Sequence, residues 1–186
     1  MSNFYKGWPH KGPYVNKLNK INENLTSYLN NMPRYKPFTV IFDIDDTLVY
    51  TDPLKQTKYN SMNVIKGYMI FPEIKQISSI ARLCRKLGYK IIIITARPYE
   101  SEQSSIKNLE HYNIPYDKIY HNIEYPSLTF KLDLIKNIAK KHNVLLAIGD
   151  SWPDIKSLKK CLCIKLPNRN DTNSYFTYDN KNYYNI

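Results

Sequence analysis

The stretch Phe38-Thr39-Val40-Ile41-Phe42-Asp43-Ile44-Asp45-Asp46-Thr47-Leu48 changes character in its middle. Up to Phe42 it is a short apolar, β-branched run without polar alternation, the pattern of a strand buried on both faces. Asp43, Asp45 and Asp46 follow at once. Close carboxylates repel one another and are costly to ionise together. Their concentration directly after a buried strand points to a chemical site, although helix-capping or surface acids are the ordinary alternative.

Outward from this stretch, strand-like and helix-like patterns alternate. Ile74, Ile77, Ile80, Ala81 and Leu83 give a helix over about 73–87, which Gly88 stops. Lys90-Ile91-Ile92-Ile93-Ile94 reads as a second buried strand. A helix over 101–112, a brief strand at 118–121, a helix over 130–142 and a strand at 144–148 follow. A short helix near 155–159 precedes a last strand at 161–166. This order predicts an α/β fold: a three-layer, Rossmann-like parallel sheet with helices on both faces and ligands beyond the carboxyl ends of its strands. Residues 37–166 form the core. Before it, residues 1–36 comprise an irregular segment and a packing helix carrying Val15, Leu18, Ile21, Leu25, Tyr28 and Leu29, which ends before Pro33. Residues 50–71 form a short flap, and 167–186 a polar tail, either disordered or packed along the domain.

The topology gathers the unusual residues. Asp43 and Asp45 follow the first core strand, Thr95 and Arg97 the second, and Asp150 and Asp154 the fourth; Lys131 opens a helix at the same edge. A divalent cation would offset the converging carboxylates, and magnesium accepts a few carboxylate oxygens together with water and phosphate. Asp43 and Asp150 are the candidate ligands, joined by the backbone carbonyl of Asp45; the lack of thiols and imidazoles disfavours zinc. Asp43 can attack phosphorus, and Asp45 can shuttle the proton. Thr95 and Lys131 can hold phosphoryl oxygens. Asp46 reads as local support. Arg97 either touches substrate or forms a structural ion pair, and Trp152 and Pro153 either wall the site or fix its loop.

These residues resemble the haloacid dehalogenase superfamily of phosphatases, in a form with a minimal cap. Asp43-Ile44-Asp45-Asp46-Thr47 is similar to the first motif of that family and Ile94-Thr95-Ala96-Arg97-Pro98 to the second. Lys131 stands where the third supplies its lysine, and Gly149-Asp150-Ser151-Trp152-Pro153-Asp154 is similar to the fourth. The resemblance covers about 37–166. It implies a Mg2+-dependent phosphomonoester hydrolase with Asp43 as nucleophile and Asp45 as general acid/base. It further implies phosphate binding by Thr95, Ala96, Arg97 and Lys131, metal binding by Asp43, Asp45 and Asp150, and support from Asp46, Thr47 and Asp154. The intervals between motifs are too short for a large cap, so the site should be open to nucleotides, nucleic-acid ends or phosphoproteins. A non-catalytic binding or storage protein on the same fold is the alternative from another class.

The formal net charge of +11 and pI near 9.4 favour polyanionic partners. Nucleic acid is one, but scattered lysines with abundant Asn, Ile and Tyr also suit an AT-rich coding genome. In the flap, Tyr50, Lys55, Lys58, Tyr59 and Tyr68 are candidates to stack on a base or meet a phosphate. Three cysteines, Cys84, Cys161 and Cys163, suggest packing rather than a disulfide framework. No apolar run approaches the roughly 20 residues of a membrane span, and the first residues do not read as a signal peptide. The expectation is a cytoplasmic protein without membrane contact.

Overall fold

The computed structural model describes residues 13–33, 37–51, 70–123, 129–168, 175–177 and 184–185. Helix α1, Pro13–Asn30, has Pro13 at its first position, where the missing N–H is no loss. Leu18, Ile21, Leu25 and Leu29 form its buried stripe. Its Asn-rich flank is not simply solvated. Asn22 Nδ2 donates to the Gln76 carbonyl at 2.6 Å and to Ser79 Oγ at 2.7 Å, and Asn19 Oδ1 accepts from Gln76 Nε2 at 2.8 Å. These bonds dock α1 on helix α2, Lys75–Lys86.

The remaining elements are β1 (Thr39–Phe42), β2 (Lys90–Pro98), α3 (Glu102–His111), β3 (Lys118–Asn122), α4 (Phe130–Lys141), β4 (Val144–Gly149), β5 (Leu162–Lys165), β6 (Tyr175–Thr177) and β7 (Tyr184–Asn185). The sheet order is β3-β2-β1-β4-β5-β6-β7. The first five strands in that order run parallel, whereas β6 and β7 pair antiparallel beyond β5. β1 is central, and its side chains alternate between two cores. Val40 and Phe42 join Ile91, Ile93 and the buried stripes of α1 and α2. Ile41 joins Ile92, Ile94, Ala147 and the inner face of α4. Apolar residues at successive positions thus serve both faces of the sheet, as the parallel arrangement requires.

Two features depart from the sequence reading. β2 continues to Pro98, and its pairing with β3 shifts between Ile94 and Pro98, an irregularity that re-aims the intervening residues. The short helix expected near 155–159 is instead a 3-10 turn at Trp152–Asp154, shaped by Ser151 and Pro153. In the tail, for which the sequence left disorder and packing along the domain both open, Tyr175–Thr177 and Tyr184–Asn185 pair onto the sheet as β6 and β7. The thiols are core groups: Cys161 Sγ lies 3.5 Å from Cys163 Sγ, both buried and free of disulfide, and burial pushes Cys84 up to about 12. Most of the flap, 52–69, and the segment 1–12 lie outside the described residues.

Because Ile21 is only 1% exposed, truncating it leaves a void between α1 and the sheet. Ile21→Ala is expected to destabilise the protein by about 2–5 kcal/mol, measured by urea unfolding.

Candidate active site

The carboxyl edge of the sheet carries the acids. Asp43 leaves β1 with its N–H donating to the Ile148 carbonyl at 3.1 Å, which sets it beside the end of β4. Asp150 follows β4 directly. α4 starts at Phe130, so Lys131 lies in its first turn and is buried. The Lys131 ammonium donates to Asp43 Oδ1 at 2.7 Å and to Asp154 Oδ1 at 2.6 Å. Oxygens of Asp43, Asp150 and Asp154 all lie within 4.8 Å of one another.

The loop after β4 is built to bring Asp154 inward. Asp154 Oδ2 accepts from the Ser151 N–H at 3.0 Å and from Ser151 Oγ at 2.6 Å. This is a capping arrangement folded back on itself. Asp154 then passes so close to Gly149 that a Cβ there would meet Asp154 Cβ at 2.2 Å. Gly149 is required by that approach. Asn168, beyond β5, donates from Nδ2 to the Asp150 carbonyl at 2.5 Å and to Asp150 Oδ2 at 3.2 Å.

Asp45 faces another partner. Arg97 donates from Nε to Asp45 Oδ2 at 2.9 Å and from Nη2 to Asp45 Oδ1 at 2.7 Å, a two-pronged ion pair. The guanidinium lies 5.5 Å from the Phe71 ring centroid, and Nη1 donates to Ser105 Oγ at 3.3 Å. Ser105 Oγ is in turn 3.0 Å from His121 Nε2. Burial lowers the pKa of His121 and Arg97 lowers it further, while Glu102 and Asp45 oppose them. Arg97, read from the sequence as a phosphate contact or a structural ion pair, makes the ion pair. The carboxylate of Asp45 is held by Arg97, so its expected place among metal ligands rests on its backbone carbonyl alone.

The other expected residues take several positions. Asp46 has φ 56, in the left-handed region, and its Oδ1 accepts from the Thr51 N–H at 2.8 Å; it shapes the turn. Thr47 is fully buried, and its hydroxyl has no hydrogen-bond partner among the described residues. Thr95 Oγ1 accepts from the Arg97 N–H at 3.2 Å, and Ala96 is exposed at the lip. Tyr50 packs toward Tyr14, ring centroids 6.5 Å apart, and joins the core rather than standing free as a base-stacking ring. Lys55, Lys58, Tyr59 and Tyr68 lie outside the described residues. Sequence reasoning missed Ser151, Ser105, His121 and Asn168. Ser151-Trp152-Pro153-Asp154 carries a legible capping pattern, but no local signal marks the others.

Burial raises the Asp43 carboxyl well above the usual carboxylate range; Lys131 pulls it down, while Asp154, Asp150 and Asp45 raise it further. Burial works against the charge of Lys131, yet Asp154 and Asp43 outweigh it and hold the ammonium firmly protonated. One cation does not balance the converging acids. The donor set is oxygen throughout, so Asp43, Asp150 and Asp154 fit a hard divalent cation.

The parallel sheet, with four acidic and basic motifs at its carboxyl edge, defines a phosphatase of the haloacid dehalogenase type. More closely, the chain belongs to HAD superfamily, subfamily IIIB (acid phosphatase), whose family model matches residues 10–185. No curated protein matches the sequence significantly. Among solved structures, the class C acid phosphatase from Bacillus anthracis is similar in fold, with a TM-score of 0.62 at 17% identity over 79% of this chain and 67% of that one. The same enzyme with tungstate bound gives a TM-score of 0.58 at 16% identity over 79% of this chain and 67% of that one. A chain of the Pnkp1/Rnl/Hen1 RNA repair complex gives 0.51 at 18% identity, over 63% of this chain and 37% of that one. Among the described residues, no helix is long and apolar enough to cross a membrane.

Gly149→Ala should force Asp154 away from Lys131. The expected result is a loss of about 1–3 kcal/mol of stability from overpacking, together with weaker stabilisation by divalent cations, both read by thermal melting with and without metal.

Proposed function

We propose that the chain hydrolyses phosphomonoesters with Mg2+ through an aspartyl-phosphate on Asp43. The observation that carries this reading is the buried Asp43 carboxylate, bonded to Lys131 at 2.7 Å and grouped with Asp150 and Asp154. Magnesium, held by Asp43 and Asp150 with the Asp45 carbonyl and supported by Asp154, would offset charge on the phosphoryl oxygens.

In the first half-reaction, with Asp45 protonated and one of its oxygens turned from Arg97 to the leaving group, an Asp43 oxygen bonds to phosphorus as the bond to the leaving oxygen breaks, and Asp45 gives that oxygen its proton. In the second, water attacks phosphorus, Asp45 takes the water's proton, and the Asp43–phosphorus bond breaks to release inorganic phosphate. Lys131 stays protonated and steadies the phosphoryl oxygens, with Thr95 and the amides around Ala96 as further donors. Arg97 serves by orienting Asp45 rather than by gripping phosphate. Residues 52–69 are too few for a cap domain, which supports an open edge able to accept phosphate on nucleotides, nucleic-acid ends or phosphoproteins.

With an aryl phosphate and Mg2+, the protein should turn over. Asp43→Asn should fall to background, and Asp45→Asn should lose about 10²–10⁴ in kcat. Wild-type rates in Asp43→Asn would refute the mechanism. A panel of nucleotides, phosphopeptides and 3′- or 5′-phosphorylated oligonucleotides, assayed at two salt concentrations, separates the substrate classes.

Metal binding should depend on pH. Because the Asp43 carboxyl sits above its ordinary range, it keeps its proton to a higher pH than a free aspartate. Magnesium needs it ionised and must expel that proton. Stabilisation by Mg2+ should therefore grow as pH rises above the ordinary aspartate range and shrink on acidification. Melting curves with and without Mg2+ across that range check the sign, and chelation with EDTA should abolish turnover.

A further inference from the structure

We infer that Asn168 is a positioning residue that fixes the Asp150 carboxylate for the divalent cation, which makes the segment after β5 part of the active site. The inference rests on the metal reading given above. It starts from the sheet: β4 and β5 pair up to Gly149 and Lys165, and the Leu166 N–H donates to the Gly149 carbonyl at 2.8 Å. The ladder thus continues one step past the strand, and two residues later Asn168 arrives beside Asp150.

There the Asn168 amide meets two acceptors of the same residue, the carbonyl at 2.5 Å and Oδ2 at 3.2 Å. Only the NH2 end of the side chain can satisfy a carbonyl and a carboxylate together, so the contacts fix which way the amide points. The pair of bonds ties the backbone of Asp150 to its own carboxylate and limits rotation of that group. An amide also carries no net charge. Lys131 offsets part of the charge on the two acids that it touches, whereas Asn168 orients Asp150 without adding a charge. Outer hydrogen bonds of this kind commonly change metal affinity by about 10–100-fold.

The same loop receives a second contact from the C-terminal side. The ring of Tyr175 on β6 lies 5.5 Å from that of Trp152, between Asp150 and Asp154, and Lys165 Nζ sits 5.7 Å from the Trp152 centroid. The loop is braced there independently, so loss of the Asn168 amide should release the carboxylate without unfolding the loop.

The test is calorimetric titration of Mg2+ into wild-type protein, Asn168→Leu and Asn168→Ala, with melting of each metal-free protein. Asn168→Leu keeps the side-chain volume and removes the donors. Both variants should bind Mg2+ about tenfold or more weakly, keep the metal-free melting temperature within about 2 °C, a shift of under about 1 kcal/mol, and recover kcat at saturating Mg2+. Wild-type affinity in both variants, or a lower metal-free melting temperature with unchanged affinity, would overturn the inference while leaving the metal reading intact. Failure of wild-type protein to take up Mg2+ or Mn2+ would instead remove the metal reading and this inference with it.

Discussion

The buried ammonium of Lys131, shared between Asp43 and Asp154, is the interaction on which the site depends. Its position in the first turn of α4 is unfavourable to the helix dipole, by about 0.3–1 kcal/mol at an exposed site. Breaking a buried ion pair by removing one partner typically costs about 3–5 kcal/mol. The pair wins, and the helix starts where the sheet edge needs a cation. Three neighbouring features accompany it. Asp154 must reach inward, so Gly149 can have no side chain. Asp150 is held by the neutral amide of Asn168. Asp45 stands apart with its own partner, Arg97.

Much of this was legible before any coordinates. The unbroken apolar runs at Thr39–Phe42, Lys90–Ile94 and Val144–Ile148 can be satisfied only between two helical layers, and those strands lie at the centre of the sheet. The topology then gathered the motif residues, because strands that run parallel end at one edge. What stayed illegible depended on side-chain direction or on distant partners. Arg97 is two residues after Thr95, and nothing local reveals whether its fork meets phosphate or the carboxylate of Asp45. Asn168 lies in a polar tail where asparagine is common, and its meaning comes from the β5 ladder. The strands β6 and β7 were hidden for the same reason: short edge strands rely on pairing with β5 rather than on a hydrophobic pattern.

The fold and the family leave the choice of substrate to the rim. The solved relatives share the sheet at less than one fifth identity over chains that are longer than the matched portion. Exposed Ala96 and the fourth-motif loop with Trp152 lie at the carboxyl edge of the sheet. Asp43 with Lys131, and Asp45 with Arg97, are each locked in an ion pair.

The pairing of residues 48–50 with 72–74 has a further consequence. The Tyr50 N–H donates to the Pro72 carbonyl at 2.8 Å, the Ile74 N–H donates to the Leu48 carbonyl at 2.9 Å, and Val49 bridges Glu73 antiparallel. The two ends of the intervening segment are thus cross-tied within the core. Once the ends are fixed, the entropy of closing the loop grows only with the logarithm of its length, about 0.6 kcal/mol for each doubling. Length and composition between Thr51 and Ile70 can therefore drift at little thermodynamic expense while Asp43 stays in register. Evolution is free to vary that segment without renegotiating the positions of the residues that hold its two ends.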